Sequence, residues 1–162
     1  MKIYIGSDHA GFEMKREIVA FLRAKKIPHE DVGPIYFDPE DDYPDYVGKV
    51  AEAVSKDPVE ARGVVIGGSG QGEAMVANKF PHVRAVVFNG QYKPEDGRFV
   101  PEEIMLTRQH NDSNILALGA RFLSIKEAVR AIELWINTPF SGEERHIRRV
   151  EKINKIESIW MK

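Results

Sequence analysis

The first candidate for chemistry is a glycine-rich segment at residues 67–72 (Gly-Gly-Ser-Gly-Gln-Gly), between a predicted strand and a predicted helix. Four glycines in six positions let the backbone approach a ligand closely and turn several N–H groups toward an anion. The segment lacks the Lys-Ser/Thr ending of a nucleotide P-loop, and it departs from both the dinucleotide fingerprint and the nucleophile elbow. It is therefore either a plain anion-binding loop or a tight turn.

Glu73 directly follows this glycine loop and is the candidate base. Abstraction of a proton next to a carbonyl needs a carboxylate and oxyanion-stabilising donors that act on the same enediolate. A position near a helix start favours the anion, whereas burial would raise the pKa of Glu73 above its free value of about 4.3. The sequence leaves open which effect dominates, and an isolated first-turn glutamate is commonly just solvated.

A second candidate lies at the end of the first predicted strand, at residues 6–11 (Gly-Ser-Asp-His-Ala-Gly). Ligands bind at the carboxyl ends of strands in parallel sheets, so Asp8 and His9 are placed to meet one. Alternatively, Asp8 or Ser7 only caps the following helix. A cap leaves His9 unexplained.

Two polar clusters come later in the chain. His110, Asn111 and Asp112 precede a predicted strand, and a histidine beside amide and carboxyl groups can move protons near neutral pH. Arg145 and Arg149 are four residues apart on a predicted helix, so both guanidinium groups can hold one phosphate. A surface histidine and a solvated basic face are the alternatives.

The composition limits the chemistry and the partners. With 43% apolar residues, the 162-residue chain suffices for one domain, residues 1–162, with its own core. A net charge of -2, from 23 basic and 25 acidic residues, argues against nucleic acid and membranes as partners. The absence of cysteine excludes disulfides, thiolate metal sites and a cysteine nucleophile. No leader or membrane-spanning stretch is recognisable, so we expect a cytoplasmic protein.

Strand and helix patterns alternate along the chain. Short continuous apolar runs indicate buried strands, and segments with helical periodicity lie between them. This alternation predicts an α/β fold with a mostly parallel sheet covered by helices on both faces. The predicted strands are 2–6, 27–32, 64–66, 83–88 and 115–118, and the predicted helices are 12–25, 47–56, 73–79 and 125–136, with a loop at 33–45.

Two segments depart from this alternation. Residues 89–101 contain two glycines and two prolines, which predicts an irregular loop that could act as a lid. In the tail, residues 143–162, isoleucine or valine recurs at every third residue from 147 to 159, which gives no single apolar stripe on an α-helix. We expect a helix that contacts a second subunit as well as its own. A helix that breaks near Asn154 is the alternative.

Several ordered motifs together resemble the ribose-5-phosphate isomerase B family, which includes the galactose-6-phosphate isomerase subunits. The resemblance extends from one end of the chain to the other. The motifs are Gly-Ser-Asp-His-Ala-Gly-Phe-Glu at 6–13, Asp-Tyr-Pro-Asp at 42–45, residues 63–79 ending in Ala-Asn-Lys, Arg-Ala at 84–85, His-Asn-Asp at 110–112, Ala-Leu-Gly-Ala-Arg at 117–121, and Arg-His-Ile-Arg-Arg-Val at 145–150.

The resemblance implies a fold and an activity. The implied fold is a Rossmann-like three-layer αβα sandwich with a five-stranded sheet, in dimers that share their active sites. The implied activity is metal-free and cofactor-free isomerisation of an aldose phosphate to its ketose through an enediolate. For ribose 5-phosphate, this reaction belongs to the pentose phosphate pathway.

The resemblance also implies a role for each matching residue. Asp8 and His9 would bind the sugar, and Tyr43 would line the pocket. His110 and Asn111 of the partner subunit would assist opening of the furanose ring. The reacting carbonyl oxygen would be held by Gly68, Ser69, Gly70, Gln71 and Gly72, and the phosphate by Arg121, Arg145 and Arg149.

Two departures from the family pattern bear on the mechanism. Much of the family has a cysteine base at the end of the third strand, where this chain has Gly67. A branch of the family shares the pattern Gly-Gly-Ser-Gly-x-Gly-Glu with this chain, and there the glutamate is the base, which points to Glu73. In addition, residues 89–107 look longer than the family pattern, directly ahead of His110.

We therefore expect a homodimer, with a tetramer as the alternative, that interconverts ribose 5-phosphate and ribulose 5-phosphate. Glu73 would be the base, assisted by Ser69 and His110. An isomerase for galactose or allose 6-phosphate would keep every motif. A non-catalytic sugar-phosphate-binding subunit is the third alternative, favoured by the missing cysteine and the longer loop.

Overall fold

A five-stranded sheet with helices on both faces forms the centre of the molecule in the computed structural model, which describes residues 1–160. The strands are β1 (Lys2–Ser7), β2 (His29–Asp31), β3 (Ala61–Gly67), β4 (Ala85–Phe88) and β5 (Ile115–Gly119). The helices are α1 (Phe12–Ala24), α2 (Tyr43–Lys56), α3 (Gln71–Ala77), α4 (Glu103–Asn111), α5 (Ile125–Asn137) and α6 (Glu144–Trp160). A short 3-10 turn, His9–Gly11, joins β1 to α1.

All strand pairs in the sheet are parallel, and the strand order is β2-β1-β3-β5-β4. The register pairs Gly63 with Ile115 and Gly67 with Gly119, so β3 and β5 end side by side. We call the side of the sheet where the strands end the carboxyl edge, and the side where they begin the amino edge. The predicted α/β fold, its parallel five-stranded sheet and its three layers are confirmed.

Alternate residues of the central strands contribute to two separate cores, because successive side chains of a strand point to opposite faces. Val64 and Ile66 of β3 belong to the core beneath α1 and α5, which contains the fully buried Trp135. Val65 belongs to the core beneath α2 and α3. Burial on both faces explains the continuous apolar runs by which the sequence predicts these strands.

The predicted start of α2 was wrong. The sequence predicts a loop as far as Asp45 and a helix from Val47, whereas α2 begins at Tyr43. Pro44 lies in the first turn of α2, where its missing N–H leaves no intrahelical hydrogen bond unmade. The stretch rich in aspartate and proline therefore contains the start of the helix.

Helix α4 was missed by the sequence analysis, which assigns no helix between the irregular loop and β5. The buried residues of α4 are Ile104 and Arg108, so a charged residue occupies a core position and interrupts the apolar stripe. Arg108 tolerates burial because it donates to the carboxylate of Asp112 at 2.8 Å and to the carbonyls of Ser113 and Thr138. Residues 89–101 are irregular, as predicted.

The tail forms one continuous helix, α6, so the break near Asn154 does not occur. His146 is its buried residue, whereas Ile153 and Ile156 are 40% and 59% exposed. Contact of this apolar surface with a second subunit stays a prediction. Residues 161 and 162, the end of the predicted domain and tail, lie outside the described residues. Within residues 1–160, no helix combines the length and apolar character that crossing a membrane requires.

Candidate active site

Glu73 lies in the first turn of α3, at the carboxyl edge, and is only 4% exposed. Its Oε1 atom occupies the space that a Cβ atom at position 67 would fill. Any side chain at the end of β3 would therefore displace the carboxylate. Gly67 makes room for Glu73, so the two residues form one structural unit.

The surroundings of Glu73 favour its protonated form. Burial is the largest cause that raises the pKa of Glu73 above its ordinary value. A hydrogen bond from its own backbone N–H opposes this shift in pKa, and the negative charge of Asp8 reinforces it. Burial thus outweighs the position near a helix start, which answers the question that the sequence leaves open. A carboxylate with a raised pKa is a stronger base than free glutamate.

The backbone of the glycine loop adopts a left-handed conformation at Gly70, three residues before Glu73. Gly70 has a φ of 74°, and a Cβ atom there would lie 3.1 Å from the backbone of Leu118. Only glycine satisfies both conditions without strain. Ser69 stabilises the following turn, because its Oγ accepts the N–H of Gln71 at 3.4 Å. The loop therefore lies closely over the end of β5.

Two predicted binding residues lie directly against this loop. A Cβ atom at Gly68 would approach the guanidinium of Arg121 to 3.0 Å, and one at Gly72 would approach the Tyr43 ring to 2.8 Å. The glycines therefore provide the space for both side chains. Arg121 is exposed and Tyr43 is half-buried, so both side chains are accessible to solvent beside the loop.

Asp8 has two roles in the structure. Its Oδ1 accepts the N–H of Gly11 at 3.1 Å, so the capping interpretation is confirmed for the 3-10 turn. Its own N–H donates to the carbonyl of Ile66 at 3.3 Å, which attaches this turn to the end of β3. Asp8 is 7% exposed, and its charge raises the pKa of both Glu73 and His9.

Asp41, which the sequence analysis did not single out, holds His9 in place. Its Oδ1 accepts the backbone N–H of His9 and pairs with the ring Nδ1, both at 2.8 Å. This hydrogen bond is the largest cause that raises the pKa of His9. With Nδ1 engaged, Nε2 is the ring nitrogen that remains for a ligand. The acidic loop around residue 40 gave no indication which of its carboxylates would do this.

Three buried polar atoms at this edge have no hydrogen-bond partner among residues 1–160: Ser7 Oγ, Asp41 Oδ2 and Asn89 Oδ1. Buried polar atoms are normally paired, so their concentration beside the glycine loop is typical of a functional site rather than of a packed core. In the same part of the chain, no group of three or more His, Asp or Glu side chains is arranged to hold a metal ion.

The remaining predicted site residues lie at the opposite, amino edge. Helix α4 ends at Asn111, and β5 begins only at Ile115, so His110 and Asn111 are close to the start of β5. Gly119, which pairs with Gly67, is at the other end of that strand. Four residue steps along a strand span roughly 13 Å. His110 of this chain therefore does not face Glu73 of the same chain.

An ion-pair network fixes the end of α4. The carboxylate of Asp112 accepts from Arg84 at 2.7 Å and from Arg108 at 2.8 Å. Arg84 also donates through Nε to the backbone carbonyl of Asp112 at 2.9 Å. Asp112 of the sequence motif thus acts as an anchor that holds the preceding residues, His110 and Asn111.

His146, to which the sequence analysis gave no role, supports His110. The two imidazole rings have centroids 4.3 Å apart, and His146 bonds through Nδ1 to Ser141 Oγ at 2.8 Å. Burial, followed by the charge of His110, lowers the pKa of His146. The lowered pKa favours the neutral form of His146, whose ring packs against that of His110. The sequence indicated a role for His146 only through its position inside the cluster of Arg145, Arg148 and Arg149.

Arg145 and Arg149 are exposed and lie one turn apart on α6, so they share a face as predicted. Arg145 donates through Nε to Glu143 at 2.8 Å. The structure thus sorts the predicted site residues into two groups. The carboxyl edge carries Asp8, His9, Tyr43, Gly68, Ser69, Gly70, Gln71, Gly72, Glu73 and Arg121, and the amino edge carries His110, Asn111, Arg145 and Arg149.

A buried carboxylate beside a glycine-rich loop, at the carboxyl edge of a parallel sheet, is typical of a class of α/β proteins that can abstract a proton from a bound substrate. Comparison with known proteins agrees with this class. The chain is 38% identical over 156 residues to ribose-5-phosphate isomerase B of Escherichia coli, covering 96% of each chain. It is 34% identical to the protein of that name from Mycolicibacterium paratuberculosis, over 97% of this chain and 92% of that one.

Solved structures show the same similarity. Ribose-5-phosphate isomerase B from Mycoplasma genitalium, crystallised with bound ribulose 5-phosphate, matches with a TM-score of 0.88 and 35% identity, over 97% of this chain and 96% of that one. The Clostridium thermocellum isomerase B matches with a TM-score of 0.86 and 41% identity, over 99% of each chain. A sequence model of the ribose/galactose isomerase family matches residues 3–153. The chain belongs to the ribose/galactose isomerase family, as the motifs indicate.

Proposed function

We propose that this protein interconverts ribose 5-phosphate and ribulose 5-phosphate through an enediolate, with Glu73 as the base. The observation that carries the proposal is the buried Glu73 carboxylate, which fits the space beside Gly67 and borders the glycine loop. The substrate is supported by the names of the similar proteins, one of which was crystallised with ribulose 5-phosphate.

In the proposed reaction, Glu73 takes the proton from C2 of the open-chain aldose and returns it to C1, while the hydroxyl proton on O2 passes to O1. The raised pKa of Glu73 brings its basicity closer to that of the enediolate, which reduces the cost of the transfer. Main-chain N–H groups of residues 68–72 and the Ser69 hydroxyl stabilise the negative oxygen next to the reacting carbon. The base, Glu73, and the donors that stabilise the oxyanion, residues 68–72, are therefore adjacent in the sequence.

The rest of the substrate is bound by residues of both groups, those at the carboxyl edge and those at the amino edge. Asp8 and His9 bind sugar hydroxyls, and Tyr43 lines the pocket. Arg121 holds the phosphate, together with Arg145 of the partner subunit and Arg149 of the partner subunit. Anchoring by a remote phosphate uses binding energy for positioning of the reacting carbons.

The two groups complete one site only across a subunit boundary. His110 and Asn111 lie at the amino edge, about the length of a strand away from Glu73. We therefore propose a homodimer in which His110 and Asn111 of the partner subunit reach the carboxyl edge and assist ring opening. The exposed isoleucines of α6 supply apolar surface for this contact.

A substrate panel on wild type and Glu73→Gln tests the proposal. The panel contains ribose 5-phosphate, galactose 6-phosphate and allose 6-phosphate. Wild type should turn over ribose 5-phosphate best, and Glu73→Gln should lose about 10³-fold in kcat while inorganic phosphate still binds. Glu52→Gln, the same change at an exposed residue of α2, is the matched control and should behave as wild type.

Each alternative has its own outcome in this experiment. Preferred turnover of a hexose 6-phosphate would replace the proposed substrate and keep the mechanism. Retained activity in Glu73→Gln would remove Glu73 as base. Failure of wild type to exchange the C2 proton of any sugar phosphate with solvent would favour a non-catalytic binding subunit.

A further inference from the structure

Asn89 connects the edge strand β4 to the glycine loop. It directly follows Phe88, the last residue of β4, and its Nδ2 donates to the backbone carbonyl of Ser69 at 3.0 Å. The orientation of the amide is chemically determined, because the Ser69 carbonyl can only accept. The side chain thus crosses the end of β5, which lies between β4 and β3 in the sheet.

The crossing depends on a glycine at the end of β5. A Cβ atom at Gly119 would overlap Asn89 Oδ1 and would approach the carbonyl carbon of Ser69 to 3.0 Å. Gly119 therefore allows both the Asn89 side chain and the Ser69 backbone to lie directly over the strand. The three residues form a contiguous contact beside the candidate site.

The hydrogen bond fixes the orientation of one peptide group. In a planar trans peptide, the carbonyl of Ser69 and the N–H of Gly70 point in opposite directions. Asn89 draws the carbonyl toward β4, so the Gly70 N–H is directed toward β3 and β1. Glu73 and Asp8 lie on that side, at the ends of these two strands.

The N–H of Gly70 is available for such a role. Gly70 is buried, and its N–H donates to no acceptor among residues 1–160. Buried backbone N–H groups without a partner are rare in folded proteins. A negative oxygen on the substrate would satisfy this donor.

We infer that Asn89 is a positioning residue, which orients the Ser69–Gly70 peptide so that the Gly70 N–H faces the developing enediolate oxygen. The inference rests on the proposed isomerase function, since it assigns the oxyanion donor of that reaction. Stability alone does not account for Asn89, because its Oδ1 is buried without a partner. An unpaired buried oxygen makes a site less stable than an apolar side chain of the same shape would.

The test compares Asn89→Leu and Asn89→Asp with wild type. Both changes keep the approximate shape of the side chain and remove the donor. A misdirected Gly70 N–H affects the enediolate and not the bound ground state, so kcat should fall by at least ~10-fold with KM within about two-fold. A phosphorylated hydroxamate, which resembles the enediolate, should bind more weakly by a similar factor. The midpoint of thermal unfolding of Asn89→Leu should equal or exceed that of wild type.

Gln91→Leu is the matched control. Its amide donates to the carbonyl of Pro101 at 2.9 Å and accepts the N–H of Glu103, the first residue of α4, at 2.8 Å, and neither contact involves Ser69. This variant should keep kcat within about two-fold of wild type. If Asn89→Leu does not fold, Asn89→Asp, which has the same shape and is polar, provides the measurement.

The outcomes separate this inference from the function on which it rests. Unchanged kcat in a folded Asn89 variant overturns the role of Asn89 while wild-type turnover leaves the isomerase function in place. A parallel loss of thermal stability, phosphate binding and kcat would show a merely structural role and also overturns the inference. Wild type without turnover contradicts the proposed function itself.

Discussion

The two edges of the sheet differ in how far contacts within one chain bury and fix their candidate site residues. At the carboxyl edge, Glu73 and Asp8 are buried, and His9 is fixed by Asp41. At the amino edge, Arg145 and Arg149 are exposed, and Arg145 pairs with Glu143 only at the surface. The candidate site residues of the carboxyl edge are thus buried and fixed, whereas the two arginines of the amino edge are exposed to solvent.

Burial explains this difference in physical terms. A base gains from burial, because desolvation raises its pKa, and Glu73 follows this rule. Groups that bind a phosphate brought by another surface must remain accessible until that surface arrives. The difference between the two edges thus supports the proposal that a second subunit completes the site.

Mixed dimers should separate a shared site from a site within one chain. Glu73→Gln changes the carboxyl edge, and His110→Ala changes the amino edge. Each homodimer should lose at least ~10²-fold in kcat, since each lacks a group that moves protons. A purified heterodimer of the two has one site with both changes and one with neither, so it should recover about half of wild-type activity. Differently tagged chains, coexpressed and purified over both tags, provide the measurement.

A control establishes that heterodimers form and work. A heterodimer of wild type with Glu73→Gln should show about half of wild-type activity for either arrangement of the site. If the heterodimer of Glu73→Gln with His110→Ala only matched the mean of its two inactive parents, each site would belong to one chain. That result would contradict the proposal that a second subunit completes the site.

Gly67→Ala should show how strictly the carboxyl edge is organised. The new Cβ atom would occupy the place of Glu73 Oε1, and the carboxylate must move while the strand backbone stays in place. A displacement of about 1 Å can cost ~10²-fold in rate, so we expect a loss of kcat of that order. Thermal unfolding should change little, because only the end of a flexible side chain has to shift.

The matched control for Gly67→Ala is Gly48→Ala in α2. A Cβ atom there meets only the tip of Phe80, at 3.8 Å, and alanine favours a helix more than glycine does. Gly48→Ala should therefore be as active as wild type and slightly more stable. Full activity of Gly67→Ala would show that the carboxylate works equally well from another position.

The fold was predictable from the sequence where local pattern and burial agree. β3 and β5 are continuous apolar runs because both of their faces are covered, and α5 has a strong periodicity and a capping box from Ser124 and Glu127. The sequence did not predict helix α4, because Arg108 occupies one of its core positions and interrupts the apolar pattern. The ion pair of Arg108 with Asp112 is a tertiary feature, which periodicity does not detect.

The candidate site was predictable as a set of residues and less so as a geometry. The glycine loop, Asp8 and Glu73 are adjacent to strand ends, which places them at one edge by topology alone. The contact between Asp41 and His9 joins positions 32 residues apart through an irregular loop, and no local pattern encodes it. The contact of Asn89 with Ser69 across β5 likewise depends on the strand order.

Of these variants, Asp41→Asn should have the smallest effect, because it changes the surroundings of His9 alone. The hydrogen bond to Asp41 is the main cause that raises the pKa of His9, so in Asp41→Asn this pKa should fall toward its ordinary value of about 6.5. Because the pKa is raised in the folded state, the pairing stabilises the protein below that ordinary value and is lost as the pH rises through the raised pKa. NMR titration of the His9 ring measures the shift directly.

The effect on catalysis should follow from the same change in charge. Near pH 7.5 the variant has less imidazolium at His9, and imidazolium is a stronger hydrogen-bond donor to a sugar hydroxyl than the neutral ring, so KM should rise by roughly 2- to 5-fold with kcat nearly unchanged. The rise in KM should begin at a lower pH than in wild type. Asp38→Asn is the control: it removes an equal charge from the same loop, where the Asp38 carboxylate accepts the N–H of Glu40, and it should leave the pKa of His9 in place. An unchanged pKa of His9 in Asp41→Asn would mean that Asp41 holds only the backbone of His9, and that other groups, among them the charge of Asp8, raise this pKa.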